Sequence, residues 1–216
     1  MTPEQLAKQL RCPSGDDGAQ VADNMNQHNQ PIIAASYQAL GPSAGDHIVE
    51  VGPGSAGHLP DLLAMADNLY YTGLDLSQDM VAQAQQHHGH LERVHFVAGD
   101  LHDAPLPPNS ADHVVAINVV YFWNPLLPAL NAIGKLLRPG GQLCLGLRDR
   151  NSMATLPVFR HGFLTYNGPD LQQALKTAGF VDVRQQIIPE QSINVMGQVM
   201  HKTGLVITAL NPEVKS

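Results

Sequence analysis

A carboxylate and a glycine-rich turn are the residues of this chain best suited to binding a ligand. Glu50 stands before Gly52, Gly54 and Gly57 in the pattern E-x-G-x-G-x-x-G. Glycine permits a tight turn and lets a ligand approach bare backbone. We expect the helix after the turn to begin with unpaired N–H groups that face the ligand. A carboxylate beside the turn would repel a pyrophosphate, so the site suits a ligand with positive charge.

Two more carboxylates follow predicted strands. Residues 69–74 (LYYTGL) predict a strand with Asp75 at its end, 18 residues beyond Gly57. A carboxylate there can accept hydrogen bonds from both ribose hydroxyls of an adenosine ligand. Residues 93–98 predict the next strand, and Asp100 follows it. Since parallel strands end at one edge of an open sheet, we expect both carboxylates in one crevice.

A sheet is needed to position these side chains. Ile48, Val49 and Val51 form the apolar run of a buried strand, and residues 59–66 (LPDLLAMA) predict the helix after the turn. Apolar strands alternate with helical segments through residues 111–123 and 142–149. This alternation indicates an α/β fold with a doubly wound sheet.

With these motifs in this order, the chain resembles the class I S-adenosylmethionine-dependent methyltransferases. The first motif of that family is an acidic residue, a spacer and a glycine turn, as in residues 50–57. Gly99-Asp100 matches its adenine motif, and residues 138–141 (RPGG) match its turn before the fifth strand. The resemblance covers most of residues 45–210. It implies a Rossmann-like doubly wound sheet, mostly parallel with an antiparallel C-terminal strand pair, and helices on both faces.

The resemblance also implies the ligand and its contacts. S-adenosylmethionine carries a sulfonium and an ammonium group and no phosphate. Asp75 would bind its ribose, Asp100 the exocyclic amine of adenine, and Leu76 or Met80 would pack on the ring. Two alternatives are that Met80 fills the core and that Asp100 caps a turn. The residues expected to contact this cofactor are Glu50, Gly52, Gly54, Asp75, Leu76, Met80, Gly99, Asp100, Leu101 and Asn118.

The acceptor is expected at the same edge of the sheet, where the fourth strand ends in Asn118 and then Tyr121, Phe122 and Trp123. Asn-Val-Val-Tyr is loosely similar to the Asn-Pro-Pro-Tyr motif of amino methyltransferases, but both prolines are missing, so nitrogen is not established as the acceptor. We favour the acceptor pocket for Tyr121 and the core for Phe122. Residues 150–169 predict an irregular binding loop. The substrate-binding candidates are Tyr121, Trp123, Phe163, Tyr166 and Asn29.

The N-terminal 44 residues predict a helical segment. Residues 3–10 predict a short helix, residues 12–18 (CPSGDDG) a break, and residues 19–40 further helix with Pro31 opening its second part. Many of the small-molecule methyltransferases that the chain resembles have N-terminal helices across the cofactor. The resemblance thus implies that the polar cluster 24–29 and Tyr37 form a lid over the ligand; the alternative is a solvated helix surface. We therefore divide the chain into a helical lid segment, 1–44, and a methyltransferase domain, 45–216.

Methyl transfer from a sulfonium is a direct displacement that depends on alignment and on the exclusion of water. It requires no nucleophilic side chain, and no Ser-His-Asp or Cys-His order is evident in the sequence. If the acceptor must lose a proton, Tyr121, His161 or Asp149 could act as base.

Composition limits the possible partners. The net charge of −7, with only 12 Lys and Arg residues, argues against a large nucleic-acid interface. Cys12 and Cys144 fit a reducing compartment. The histidines at 87, 88 and 90 have no ligand partner at metal spacing, so we expect no metal. With no apolar leader or span, we expect a cytoplasmic protein without a membrane partner. The oligomeric state stays open.

The predicted function is an S-adenosylmethionine-dependent methyltransferase that acts on a small molecule. One alternative is an NAD(P)-dependent oxidoreductase that uses the glycine turn and Asp75. Another is a protein that binds S-adenosylmethionine without transferring the methyl group, because fold does not determine function.

Overall fold

The structure is a computed structural model that describes residues 1–154, 157–195 and 197–213. Its centre is a seven-stranded sheet in the order β3-β2-β1-β4-β5-β9-β6. The strands are β1 His47–Val51, β2 Tyr70–Asp75, β3 Val94–Ala98, β4 Ala111–Ile117, β5 Leu137–Arg148, β6 Val181–Pro189, β7 Ile193–Val195, β8 Gln198–Met200 and β9 Thr203–Leu210. The helices are α1 Pro3–Arg11, α2 Gly15–His28, α3 Gln30–Leu40, α4 Leu59–Leu63, α5 Gln78–His88, α6 Leu126–Leu136, α7 Arg150–Ala154 and α8 Gly168–Thr177.

The predicted fold class is confirmed. Strands β1 to β5 are parallel, whereas β9 pairs antiparallel with both β5 and β6. Buried residues of α3, α4 and α5 cover one face of the sheet, and those of α6 and α8 cover the other. The apolar strands therefore form the middle layer between two hydrophobic cores.

The strand order places the ligand crevice between β1 and β4. The chain winds outward through β2 and β3, then returns to β4 on the other side of β1, and such a reversal opens a crevice at the carboxyl ends of the strands. Val51 pairs with Leu74 of β2 and with Ala116 of β4. This register brings the residues that follow the three strands to one edge.

Helices α1 and α2 lie across this edge and are tied to it. The Ser77 hydroxyl donates to the carbonyl of Pro13, and the Gly15 N–H donates to the Asp79 carboxylate at 2.9 Å. The predicted break at 12–18 is too long, because α2 already begins at Gly15. Its first turn packs so closely that a Cβ on Gly18 would lie 2.8 Å from the Pro13 backbone. Glycine here permits close packing of a helix.

Two further regions differ from expectation. The loop predicted at 150–169 contains α7 and a short 3₁₀ helix, Pro157–Arg160; positions 155 and 156 lie outside the described residues. A small hairpin, β7 with β8, precedes β9 and was not predicted. No helix within the described residues is long and apolar enough to cross a membrane.

Candidate functional site

The glycine turn follows β1 in a left-handed conformation. Gly52 has φ +73° and Gly54 has φ +59°, a region that L side chains adopt at a cost. A Cβ on Gly52 would lie 2.6 Å from the Val119 side chain, so only glycine fits. A Cβ on Gly54 would meet no atom within 4 Å, because this residue borders the open crevice. The turn is thus both tight and bare, as its composition predicts.

Asp75 ties the glycine turn to the end of β2. Its carboxylate accepts the N–H of Gly54 and the N–H of Ser77, each at 2.8 Å, and the residue is 8% exposed. Burial raises the pKa of Asp75, and the two amide bonds oppose that shift. Each carboxylate oxygen holds a second lone pair, so Asp75 can accept ligand hydroxyls while it holds the turn.

The backbone N–H groups of this region are partly used within the turn. The N–H of Gly54 is bonded to Asp75, that of Ala56 to the Pro53 carbonyl, and that of Leu59 to the Ala56 carbonyl. The expectation that α4 would begin with unpaired N–H groups facing a ligand is therefore wrong for Leu59, its first residue. A phosphate would have to displace these bonds, which disfavours a pyrophosphate ligand here.

Glu50 is buried beneath the glycine turn, with 1% exposed surface. It accepts hydrogen bonds from the hydroxyls of Tyr37 at 3.2 Å and Tyr71 at 2.9 Å, and pairs with His58 Nε2 at 2.9 Å. Burial lowers the pKa of His58, but the charge and hydrogen bond of Glu50 outweigh it, so the net shift is upward and favours the imidazolium. Glu50 therefore acts mainly inside the protein. Tyr37, expected in a lid, lies in the core at 2% exposure.

A first cavity of about 320 Å³ opens above the turn. Leu76, 48% exposed, and the buried Leu101 line it together with Gly99 and Asp100. Met80 is fully buried and is not among the lining residues, which corrects its expected contact with adenine in favour of the core alternative. The lining consists of residues 50–55, 58, 74–76, 99–102, 117–119 and 122–124, with Leu10, Arg11, Pro13, Ala22, Met25, Asn26, Asn29 and Ile33 of the N-terminal segment.

Asp100 combines both roles that its sequence position allows. Its Oδ1 accepts the N–H of His102 at 2.9 Å and faces the His102 ring Nδ1 at 2.7 Å, so it caps a turn while lining the cavity. The backbone hydrogen bond from His102, then the bond to its ring, lowers the pKa of Asp100. An ionised carboxylate at this place is an acceptor for an amine.

A second cavity of about 460 Å³ adjoins the first and is mostly apolar. The two share lining residues Leu10, Met25, Asn29, Asn118 and Phe122. The remaining lining residues of the second cavity are Leu6, Val21, Asn24, His28, Tyr121, Arg148, Met153, Val158, Phe159, Phe163, Asn194 and Lys202.

Asn118 and Tyr121 join the two cavities. Asn118 has φ +57°, unusual for a residue with a side chain. Its Oδ1 accepts the Tyr121 hydroxyl at 3.0 Å, and that hydroxyl also accepts the backbone N–H of Arg148. Tyr121 is among the lining residues of the second cavity, although it is only 3% exposed.

The other acceptor candidates are distributed unevenly. Asn29 lines both cavities and Phe163 lines the second, whereas Trp123 lines the first and Tyr166 is not among the residues of either lining. Phe122, expected in the core, lines both cavities. Phe122 is partly buried and also packs against the core, and its ring centroid lies 4.7 Å from that of Phe163.

None of the three candidate bases is placed to take a proton from a methyl acceptor bound in either cavity. His161 is exposed, and Asp149 accepts the Ser152 N–H at 2.8 Å; neither is among the lining residues. Tyr121 does line the second cavity, but burial raises the pKa of its hydroxyl far above the ordinary value, which keeps it protonated.

Sequence reasoning missed an ion cluster at the wall of the second cavity. Glu190, whose side chain is fully buried, pairs with Arg148 at 3.1 Å and with Lys202 at 3.0 Å. Arg148 ends the apolar strand β5 at the crevice edge, a position that could have marked it. Glu190 and Lys202 become neighbours only through the antiparallel pairing of Pro189 with Thr203.

The sequence of this chain is similar to those of known methyltransferases. The family described as "Methyltransferase domain" matches residues 49–145, from β1 to the middle of β5. An uncharacterized methyltransferase of Bacillus subtilis, YdaC, is 28% identical over 172 residues, which cover 78% of this chain and 92% of that protein. The O-methyltransferase cnsE of Penicillium expansum is 30% identical over 164 residues, 69% of this chain and 59% of the fungal protein.

Solved structures share the fold. A chain from the complex of the Haloferax volcanii Trm112 methyltransferase activator with a methyltransferase superposes with a TM-score of 0.80 at 19% identity, covering 90% of this chain and 94% of that one. Phosphoethanolamine N-methyltransferase 2 of Haemonchus contortus, in complex with S-adenosyl-L-methionine, superposes with a TM-score of 0.67 at 17% identity, covering 86% of this chain and 53% of that one.

Proposed function

Because this chain belongs to the class I S-adenosylmethionine-dependent methyltransferases, we propose that it transfers a methyl group to a small-molecule acceptor held in the second cavity. The methyl donor would occupy the first cavity. The observation that carries the proposal is the junction of the two cavities, which share five lining residues. A donor and an acceptor bound on either side of this junction would meet there.

The charges of the first cavity fit the donor. Among its described lining residues, Glu50, Asp75 and Asp100 are carboxylates, and Arg11 is the one Lys or Arg. His58 pairs with Glu50, which leaves Asp75 and Asp100 against Arg11. Such a lining favours a cationic nucleoside without phosphate. This balance, together with the bonded N–H groups of the glycine turn, argues against the NAD(P)-dependent alternative.

The chain's own residues would bind the methyl donor and align it with the acceptor. S-adenosylmethionine supplies an electrophilic methyl group on a sulfonium. Asp75 would accept the ribose hydroxyls, Asp100 the adenine amine, and Leu76 and Leu101 would contact the ring. Gly54 would leave room for the rest of the ligand. None of the five described residues that line both cavities has a basic side chain, so the protein would contribute positioning and the exclusion of water.

The second cavity supports a small acceptor rather than a macromolecule. Its volume of about 460 Å³ falls within the range of small-molecule sites. Residues of α1 and α2 form part of its wall, together with the segment after α7. The similarity to a named O-methyltransferase supports oxygen as one candidate atom.

The N-terminal segment 1–44 would act as a lid over the donor. Asn26 donates to the Ser55 hydroxyl of the glycine turn at 3.1 Å, and both line the first cavity. The polar cluster 24–29 would thus have one side toward the crevice and one toward solvent. Both interpretations of this cluster, as a lid and as a solvated helix surface, would then apply.

Titration calorimetry tests the donor site. We expect the purified chain to bind S-adenosylhomocysteine and S-adenosylmethionine and to give no heat with NAD. Binding of the dinucleotide in preference to the sulfur nucleosides would contradict the proposal.

A single-turnover assay then separates an enzyme from a protein that only holds the ligand. The chain, loaded with donor labelled in the methyl group, is mixed with a metabolite extract and the label is followed by chromatography. We expect transfer to a small product. Retention of the label on the donor, at full donor binding, would support the non-catalytic alternative.

A further inference from the structure

The ion cluster at the wall of the second cavity carries more positive than negative charge. Arg148 and Lys202 are the two cations, and Glu190 is the carboxylate between them. Neutral oxygens supply the other contacts: the His28 carbonyl accepts from Lys202 at 2.8 Å, and Asn29 Oδ1 accepts from Arg148 at 3.2 Å. These five residues therefore leave one positive charge without a counterion.

No other acidic side chain of the described lining offsets this charge. Among the residues that the structure describes, the lining of the second cavity includes no Asp or Glu. Asp149, next to Arg148 in the chain, accepts the Ser152 N–H at 2.8 Å and is not a lining residue. The first cavity, by contrast, is lined by carboxylates.

The excess charge faces an apolar space. Arg148 is 6% exposed and Lys202 7% exposed, and the cavity beside them is walled by Met153, Val158 and Phe163. An unbalanced charge away from water costs free energy. Burial and then the charge of Arg148 lower the pKa of Lys202, which expresses this cost. An anion bound in the cavity would offset this cost by neutralising the excess positive charge.

We propose that the acceptor has an apolar body and an anionic oxygen group, a carboxylate above all, which lies against Lys202 and Arg148. The inference rests on the proposed function, because it assigns a chemical class to the occupant of the second cavity. The apolar walls would select the body and the cluster the anionic end. Charged hydrogen bonds of this kind are stronger than neutral ones.

Matched pairs of probes test the charge requirement on the wild-type chain. Decanoate is compared with decanamide, and cinnamate with cinnamamide, by calorimetry on protein saturated with S-adenosylhomocysteine. We expect at least one carboxylate to bind about tenfold or more tightly than its amide. Equal affinity within each pair, or no binding of either carboxylate, would overturn the inference.

The variant Lys202→Met tests the origin of the preference. It leaves Arg148 and Glu190 as a balanced pair, so the fold should be retained. We expect the preference for carboxylate over amide to fall about tenfold, while the affinity for the amide and for S-adenosylhomocysteine changes little. The control Lys176→Met makes the same exchange at an exposed position of α8 and should leave the preference intact.

The two failures are distinguishable. If the wild-type chain does not bind S-adenosylhomocysteine, the proposed function is refuted. Normal S-adenosylhomocysteine binding with an undiminished carboxylate preference in Lys202→Met would refute only the role of the cluster. If Lys202→Met does not fold, the wild-type probe pairs still decide the charge requirement.

Discussion

The two cavities of this molecule are built in different ways. The first lies on the turns that directly follow β1, β2, β3 and β4, and its lining includes the carboxylates of Glu50, Asp75 and Asp100. The second is assembled from α1 and α2, the segment after β5, and residues as distant in the chain as Asn194 and Lys202. Its charged side chains are cations. The proposed donor site, set by local turns, thus adjoins the proposed acceptor site, set by long-range packing.

This difference implies that the two sites can be perturbed separately. A change in a strand-end turn should alter binding of the donor and leave the second cavity intact. A change in the aromatic wall of the second cavity should do the reverse. The residues shared by both, such as Asn118 and Asn29, are where the separation should fail.

The largest effect is expected for Gly54→Arg. The side chain would fill the open space of the first cavity beside the glycine turn, and we expect S-adenosylhomocysteine affinity to fall by more than about 100-fold, or about 3 kcal/mol. Calorimetry measures the loss. Gly45→Arg is the matched control, since Gly45 also has positive φ and open space around its Cβ but lies outside the lining. Equal losses in both variants would show that backbone strain, not occupation of the cavity, is responsible.

Asp75→Ala should have the next largest effect. It removes the acceptor of two N–H groups, those of Gly54 and Ser77, and the expected contact to ribose. We expect a loss of about 1–3 kcal/mol in unfolding free energy, and a fall of about tenfold or more in S-adenosylhomocysteine affinity. Urea unfolding and calorimetry measure the two. The exposed Asp67→Ala serves as control, and donor affinity equal to wild type in Asp75→Ala would contradict the site.

Phe163→Leu probes the second cavity alone. It removes ring contacts with Phe122 at 4.7 Å and Phe159 at 5.1 Å, worth about 1 kcal/mol in unfolding free energy. We expect weaker binding of the probes decanoate and cinnamate with S-adenosylhomocysteine affinity unchanged. Tyr166→Leu, half-buried nearby but outside both linings, should leave both affinities as they are. A fall in donor affinity for Phe163→Leu would show that the sites are not separable.

The smallest expected effect is on the pH dependence of the unfolding free energy, through His58 at the first cavity. The pKa of His58 is raised in the folded state, so its contribution to stability is complete below the ordinary value of 6.5 and is lost as pH rises through the raised pKa. We expect His58→Gln to flatten the decline of unfolding free energy as the pH rises above about 6.5. His88→Gln is the control with the opposite sign, because burial lowers the pKa of His88. An unchanged slope in His58→Gln would show that the pair with Glu50 does not titrate there.

Most of the fold and the first cavity could be predicted, because their signals are local. Apolar runs marked β1 to β5, and Gly52, Gly54, Asp75 and Asp100 stand within a few residues of strand ends, where the parallel sheet places them at one edge. The predictions failed where packing overrides local preference. Met80 is at the start of a helix that turns it into the core, and Phe122 packs against the core but also lines both cavities.

Roles that depend on a partner were also beyond reach of the sequence. Glu50 was expected to face a cationic ligand, whereas Tyr37, Tyr71 and His58 surround its carboxylate. These partners come from α3, β2 and the end of the glycine turn. The Glu50 carboxylate can be buried only because these three side chains meet around it, since a charged group in the interior needs hydrogen-bonding or charged partners.

The sequence by itself indicated the methyltransferase family, the alternation of strands and helices and the turn that follows β1, since periodicity and short motifs act over a few residues and recur in a known order along the chain. The tertiary structure alone decided what lines the second cavity. Lys202 reaches the carbonyl of His28 across 174 positions of chain, and Glu190 joins them through the pairing of β6 with β9. Charge balance between such buried residues arises only when the folded chain brings them together, and no short sequence pattern encodes it.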